Sequence, residues 1–383
     1  MVRSARSWDE SDVRVRPNRR GTRPRTKERP KHEDAIIGRV TAVDRGRWTT
    51  LVPGAHGEPE RVVVAMRARE LGRSPIVVGD RVGMVGDVSG GPDSLARIVR
   101  IEERVTVLRR TADDTDPFER VIVANADQLV VVAALADPEP RPRLIDRCLV
   151  AAYDAGMDPL IVLTKADLAS SEDFLAHYAP LDVPHVVTSV LADGRPALAE
   201  LRARLVGRVS VLVGHSGVGK STLVNALVPE AHRATGHVND VTGRGRHTST
   251  SALGMRLPPF EGPAGDEPPP EPHLPRQMRS GPGEEAHLPR QMRDEGDPDA
   301  VGWIIDTPGI RSFGLAHVVA DTIIGHFPEL AEGAEAGCPR GCTHDEPDCA
   351  LDDWVEAGHA GHGGELRLDS LRRLLRARSG EDA

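Results

Sequence analysis

The sequence predicts a multidomain chain: an N-terminal OB-type β-barrel, a central α/β domain on a parallel sheet, and a C-terminal helical module gathered around a Cys/His cluster. Three observations predict it. Five short runs rich in β-branched residues fill residues 35–104. From about residue 119 strands alternate with helices, and that alternation builds a parallel sheet covered on both faces. Three of the four cysteines then fall within residues 338–349.

Each element follows from local pattern. "AIIGRVTAV", "RWTTLVP", "ERVVVAM", "DRVGMVGDV" and "SLARIVRIEER" are broken by Gly, Pro and Asp, which gives five strands in residues 35–110 and a small barrel. "QLVVVAAL" (128–135) reads as a buried strand and "RLIDRCLVAAYDAG" (143–156) as a helix closed by Gly156. "PLIVLT", "PHVVTS" and "VSVLVG" are further strands, and "PALAELRARL" is a helix. Cys148, on an apolar helix, reads as core.

Composition sets the limits. The 383 residues are 39% hydrophobic but only 3% aromatic, so the core leans on Val, Leu, Ile and Ala. The longest apolar run, Leu129–Ala136, is eight residues, too short to span a bilayer. No membrane partner and no signal peptide are expected, and a cytoplasmic monomer with reduced thiols follows. Net charge is −9, yet residues 14–31 hold nine Arg and Lys against one acid. Residues 1–34 therefore read as a disordered basic arm. Only four of the 49 basic residues are lysines, and the two outside that arm are Lys165 and Lys220. Lysine persists where a compact ammonium on a thin stem is needed.

"VSVLVGHSGVGKST" runs strand, glycine-rich loop, helix. Gly214, Gly217 and Gly219 let backbone N–H groups turn inward around phosphate oxygens, with His215, Ser216 and Val218 between them. Lys220 is placed to reach the β- and γ-phosphates, and the hydroxyl of Ser221, next to Thr222, to bind Mg²⁺. "WIIDTPGI" puts Asp306 at a strand end as a second Mg²⁺ group and offers the Gly309 N–H to the γ-phosphate. Between these motifs lies "GRGRHTSTS", where Thr248 or Thr250 would complete the Mg²⁺ shell. Many nucleotide hydrolases place a water-orienting glutamine after the switch glycine. Here that slot is Ile310, which cannot orient water, so unassisted hydrolysis should be slow. His247 is the nearest polar group able to accept a proton from water; it reads as well as a solvated loop residue.

Upstream of all these, Thr164-Lys165-Ala166-Asp167 follows a strand. The Asp167 carboxylate can accept from guanine N1–H and its 2-amino group, a donor pair that adenine lacks. Lys165 can lie along base and ribose, and "TSV", through Ser189, can offer a backbone N–H to the base oxygen. The pieces run base motif, second base loop, phosphate loop, switch I, switch II. Joined head to tail they make a GTPase domain with its starting point moved: a circularly permuted P-loop GTPase over residues 119–316. GTP and GDP are the expected ligands, with Mg²⁺.

Residues 258–300 are proline-rich and carry a duplicated "HLPRQMR", which reads as a disordered insertion. In 317–383, Cys338, Cys342, His344 and Cys349 suit one tetrahedral Zn²⁺ with no open position, a structural ion. The closing stretch places Leu368, Leu371, Leu374 and Leu375 on one helical face with five arginines around it. That basic helix, the barrel and the arm all suit an RNA backbone.

A barrel, a permuted GTPase and a Cys/His module in that order resemble the ribosome small subunit-dependent GTPase A (RsgA) family. The marks are "TKADL", "GHSGVGKST", "GRHTST", "DTPGIRSFGL" and "CPRGCTHDEPDCAL", over residues 35 to 378. The resemblance implies GTP hydrolysis stimulated by the small ribosomal subunit during its late maturation, rRNA binding that depends on the nucleotide, and a catalytic role for His247. Two other functions fit the same motifs. One is an rRNA-binding placeholder in which GTP only tunes affinity; the other is an ATP-dependent regulator, which requires that Asp167 not read guanine.

Overall fold

The computed structural model describes residues 32–54, 59–111, 118–189, 195–229, 252–258, 302–309 and 313–379. Five strands form the first layer: β1 (Ile36–Asp44), β2 (Arg47–Val52), β3 (Arg61–Arg67), β4 (Arg81–Gly86) and β5 (Ala96–Ile101). They pair in the order β1-β2-β3-β5-β4, and β4 returns to β1, so the sheet closes into a barrel. Every pair is antiparallel except β3 with β5. Bulges in β1 and at Gly83/Met84 bend the strands enough to close it. Alternation fills the interior with Val40, Trp48, Val52, Val63, Ala65, Val82, Met84 and Ile98. The polar groups that go inside are satisfied: Trp48 Nε1 donates to the Ile76 carbonyl at 3.0 Å, and Thr50 Oγ1 to Val63 at 2.8 Å.

One turn at the barrel rim accepts only glycine. Gly79 has φ +91°, and a Cβ there would lie 1.9 Å from the Ala124 carbonyl oxygen. Its N–H is already fixed on the Val40 carbonyl, so the turn cannot swing away. Gly79→Ala should therefore destabilise the chain by more than about 3 kcal/mol, combining left-handed strain with overpacking. Urea unfolding monitored by tryptophan fluorescence would measure it.

Residues 107–124 hold a feature the sequence pattern did not suggest, a two-stranded ribbon of β6 (Val107–Arg110) and β7 (Arg120–Ala124). Beyond it lie β8 (Gln128–Ala134), α1 (Pro142–Asp154), β9 (Asp158–Thr164), α2 (Glu172–Tyr178), β10 (His185–Val187) and α3 (Arg195–Leu205). They are followed by β11 (Val209–Gly214), α4 (Lys220–Leu227), β12 (Leu253–Arg256) and β13 (Trp303–Asp306). The strands lie in the order β10-β9-β8-β11-β13-β12, all parallel but β12. Successive β8 residues feed opposite cores. Leu129, Val131 and Ala133 pack with α1, while Val130, Val132 and Ala134 pack with Leu201 and Leu205 of α3 and Leu223 and Leu227 of α4. Cys148 lies in the first core, 1% exposed, and burial pushes its thiol up to about 12.

Strand β11 sits in the middle, with the earlier strands β8, β9 and β10 on one side and the later β13 and β12 on the other. The order reverses there, which opens a crevice at the carboxyl ends of the strands. On the far edge, β12 pairs with β1 at Ala42 and Leu253, so the barrel and this sheet form one continuous run of strands.

The C-terminal part is helical: α5 (Ala320–Ile324), α6 (Pro328–Gly337), α7 (Ala350–Glu356) and α8 (Gly364–Ser379). Leu368, Leu371, Leu374 and Leu375 are buried in the first core, as their spacing predicts. The arginines around them do not form the open basic face expected of an RNA-binding helix. Arg367 pairs with Glu329, and Arg373 with Asp146 at 3.2 Å. Arg372 grips Asp352 with both outer nitrogens, at 2.8 and 2.7 Å, while its Nε donates to the His344 carbonyl. Arg376 grips Asp345 at 2.8 and 2.6 Å, and Arg378 donates to the Val318 carbonyl at 2.6 Å. Sequence gives the charges but not the carboxylates they meet, which come from other elements. Among the described residues, no helix is long and apolar enough to cross a membrane.

Candidate nucleotide site and metal centre

Four sequence motifs end at the same rim of the parallel sheet. Thr164 closes β9, Thr188 and Ser189 follow β10, Gly214 closes β11 and Asp306 closes β13. Each apolar strand delivers its polar loop there because a buried parallel strand can change character only where it leaves the sheet.

Gly217 and Gly219 both sit at φ +87°, so the loop 214–219 turns back on itself before α4 begins at Lys220. The loop is fastened from below: Thr164 Oγ1 donates to the Val218 carbonyl at 2.6 Å. This bond ties the base motif to the phosphate loop, 54 residues apart. A threonine thus does the bracing with one hydroxyl. Thr164→Val keeps the shape and leaves that carbonyl unpaired. It should cost about 1–2 kcal/mol, roughly tenfold in GTP Kd, which titration with a fluorescent GTP derivative would read.

Opposite the loop, Lys220 Nζ, on a buried side chain, donates to the Asp306 carboxylate and to the Thr307 carbonyl. Thr307 in turn donates from Oγ1 to the Leu212 carbonyl at 2.7 Å, which fixes the strand exit. Gly309 follows close against the phosphate loop: a Cβ there would stand 3.5 Å from the Ser216 nitrogen. Ser216, Ser221 and Thr222 are exposed, and His215 turns its Nδ1 to the Ser216 carbonyl at 2.8 Å.

The base-reading half is equally organised. Lys165 stands at φ +58°, uncommon for a residue with a side chain, and its Nζ donates to the Asp137 carbonyl. Ala166 is half-buried against the β10 loop, where its N–H meets the Thr188 carbonyl at 3.5 Å. Asp167 is exposed, and its Oδ1 accepts from Ser189 Oγ at 2.6 Å. Ser189 was expected to act through its backbone; its side chain also orients the carboxylate. The Asp137 carbonyl was not anticipated, because a backbone acceptor has no residue signature. His247, Thr248, Thr250 and Ile310 lie outside the described residues, as do the basic arm to residue 31 and the insertion from residue 259.

The second cluster lies between α6 and α7. Ligand atoms of Cys338, Cys342, His344 and Cys349 all fall within 4.8 Å of one another. Cys349 Sγ is 3.8 Å from both Cys338 Sγ and Cys342 Sγ, and 3.9 Å from His344 Nδ1. A tetrahedron with Zn–S bonds of about 2.3 Å has edges of about 3.8 Å, so donors and spacing both fit a four-coordinate zinc. The loop is held from α8 by Arg372 on the His344 carbonyl and by Arg376 on Asp345. Burial raises all three thiols, so an ion must displace their protons and binds less well as pH falls.

Comparison with known proteins gives a consistent answer. A family model described as RsgA GTPase matches residues 101–268. The chain is 33% identical over 362 residues to a protein of Pseudomonas syringae pv. tomato named small ribosomal subunit biogenesis GTPase RsgA, covering 90% of each chain. A relative of the same name from Pseudomonas fluorescens is 34% identical, over 78% of this chain and 74% of its own. Among solved structures, YjeQ from Thermotoga maritima matches with TM-score 0.55 at 21% identity, covering 91% of this chain and 99% of that one. YloQ, described as a circularly permuted GTPase, also matches with TM-score 0.55, at 19% identity, over 93% and 99%.

Proposed function

The chain belongs to the RsgA GTPase family, and from that premise we propose that it hydrolyses GTP while bound to the small ribosomal subunit, late in that subunit's maturation. One observation carries this reading. The bonds Thr164–Val218 and Ser189–Asp167 draw three motifs distant in sequence into one crevice at the strand ends.

In that crevice Asp167 reads guanine, Lys165 lines the base and the loop 214–219 cradles the phosphates. An arriving triphosphate draws Lys220 off Asp306 and leaves that carboxylate, with Ser221 and either Thr248 or Thr250, for Mg²⁺. When bound, the ion neutralises charge on the β- and γ-oxygens. Gly309 offers its N–H to the γ-phosphate, and His247 orients the attacking water. The four Cys/His ligands hold one zinc as a structural ion. The barrel and the basic arm supply contacts to rRNA.

Ile310 favours a second reading, because the side chain in the usual water-orienting slot is apolar. On that reading the protein is an rRNA-bound placeholder and GTP sets only its affinity. Turnover of GTP with and without purified small subunits separates the two. Stimulation that disappears in His247→Ala supports the hydrolase; a rate unmoved by subunits supports the placeholder.

A further inference from the structure

The chain leaving Gly309 enters a tightly held segment at Phe313. Phe313 and Leu315 are fully buried. Three donors from separate parts of the chain hold the backbone here. Arg147 Nε of α1 donates to the Phe313 carbonyl at 2.6 Å, the Thr111 N–H to Gly314 at 3.2 Å, and Arg378 Nε of α8 to Val318 at 2.6 Å. Arg147 reaches further: its Nη1 donates to the Ala377 carbonyl, in the last turn of α8. One buried guanidinium therefore spans the exit of switch II and the end of the C-terminal helix. The adjacent residue on α1, Asp146, pairs with Arg373 on that same helix.

Burying a guanidinium is costly, and here the cost is offset by two buried carbonyls that an apolar side chain would leave unpaired. What the arginine adds is geometry. Its planar fork holds two carbonyls at a fixed separation, which a lysine cannot do. Helix α1 also begins beside the nucleotide loops: Pro138 lies against Gly217, and the Asp137 carbonyl receives Lys165.

We propose that Arg147 is a positioning residue for stimulated hydrolysis. It makes the switch II exit and the C-terminal module move as one, so that contact made on the module changes the pose of Gly309 at the γ-phosphate. The bonds run from α8 through Arg147 to Phe313, four residues beyond Gly309 along the chain. It rests on the function proposed above, and the test keeps the two apart.

Full-length Arg147→Lys and Arg147→Met proteins are compared with wild type by GTP turnover with and without small subunits. Unstimulated turnover and KM for GTP should hold, while the stimulated kcat falls roughly tenfold, within the usual range of a coupling between sites. Stimulation equal to wild type in both variants overturns the proposal. If wild type itself is not stimulated, the proposed function fails, and the coupling is judged by hydrogen exchange across residues 364–379. There, exchange should differ between the GDP form and a form bound to a non-hydrolysable GTP analogue in wild type, and not in Arg147→Lys. No difference in wild type, or the same difference in the variant, overturns the coupling. Should Arg147→Met fail to fold, Arg147→Lys and Arg378→Gln carry both measurements.

Discussion

Asp167→Asn should weaken GTP binding by at least about a hundredfold and raise affinity for xanthosine triphosphate. The reasoning is one of donors and acceptors. A carboxylate accepts from both N1–H and the 2-amino group of guanine. The Asn amide still accepts from N1–H, but it sets its own N–H₂ against the guanine amino group. Xanthine carries a carbonyl at that position and accepts the amide instead. Ser189 Oγ, which now donates to Asp167 Oδ1, can donate equally to the Asn oxygen, so the variant keeps its orientation. Competition binding with GTP, ATP and xanthosine triphosphate decides the matter. Unchanged preference for GTP would place base recognition elsewhere, and equal binding of ATP by wild type would favour an ATP-dependent regulator.

The second large effect belongs to Cys349. With His344 it is one of the two buried vertices of the Cys/His cluster, and its Sγ lies within 4 Å of the ligand atoms of Cys338, Cys342 and His344. A serine hydroxyl does not ionise at neutral pH and is a poor zinc ligand. Cys349→Ser should lose the metal and destabilise the module by about 5 kcal/mol or more, as expected for a structural zinc. Zinc content by atomic absorption and thermal unfolding check this, with chelator-treated wild type as the reference. Because burial raises the three thiols, zinc retention should fall as pH is lowered and protons compete. A Cys349→Ser protein with full zinc and unchanged melting would exclude the cluster as a structural metal centre.

The fold was legible wherever one face or both faces of an element are buried over several residues. "QLVVVAAL", "PLIVLT" and "VSVLVG" became β8, β9 and β11 because strands buried on both faces must be continuously apolar. The barrel strands were legible from runs of β-branched residues broken by Gly, Pro and Asp. What escaped was short. The ribbon β6–β7 and the strand β12, "LGMR", offer four or five residues each with little periodicity. Helices α5, α6 and α7 carry Gly and acidic residues and gain their stability from packing rather than from pattern.

The nucleotide loops could be read because glycine spacing and single carboxylates are side-chain signatures. Much of the rest of the site is made of backbone acceptors: the carbonyls of Asp137, Val218 and Thr307. No residue type marks a carbonyl that matters. The helix α8 shows the converse failure, for its composition pointed outward to RNA while Asp345, Asp352 and Glu329 waited to receive its arginines.

Those closed pairs bear on how the molecule would meet a polyanion. A guanidinium locked on a carboxylate brings no net charge to a phosphate and displaces no condensed cation from it. Of the cationic character that the last helix shows on paper, little is left to lend ionic-strength dependence to an encounter. A steep loss of association with added salt must therefore draw mainly on basic residues outside that helix.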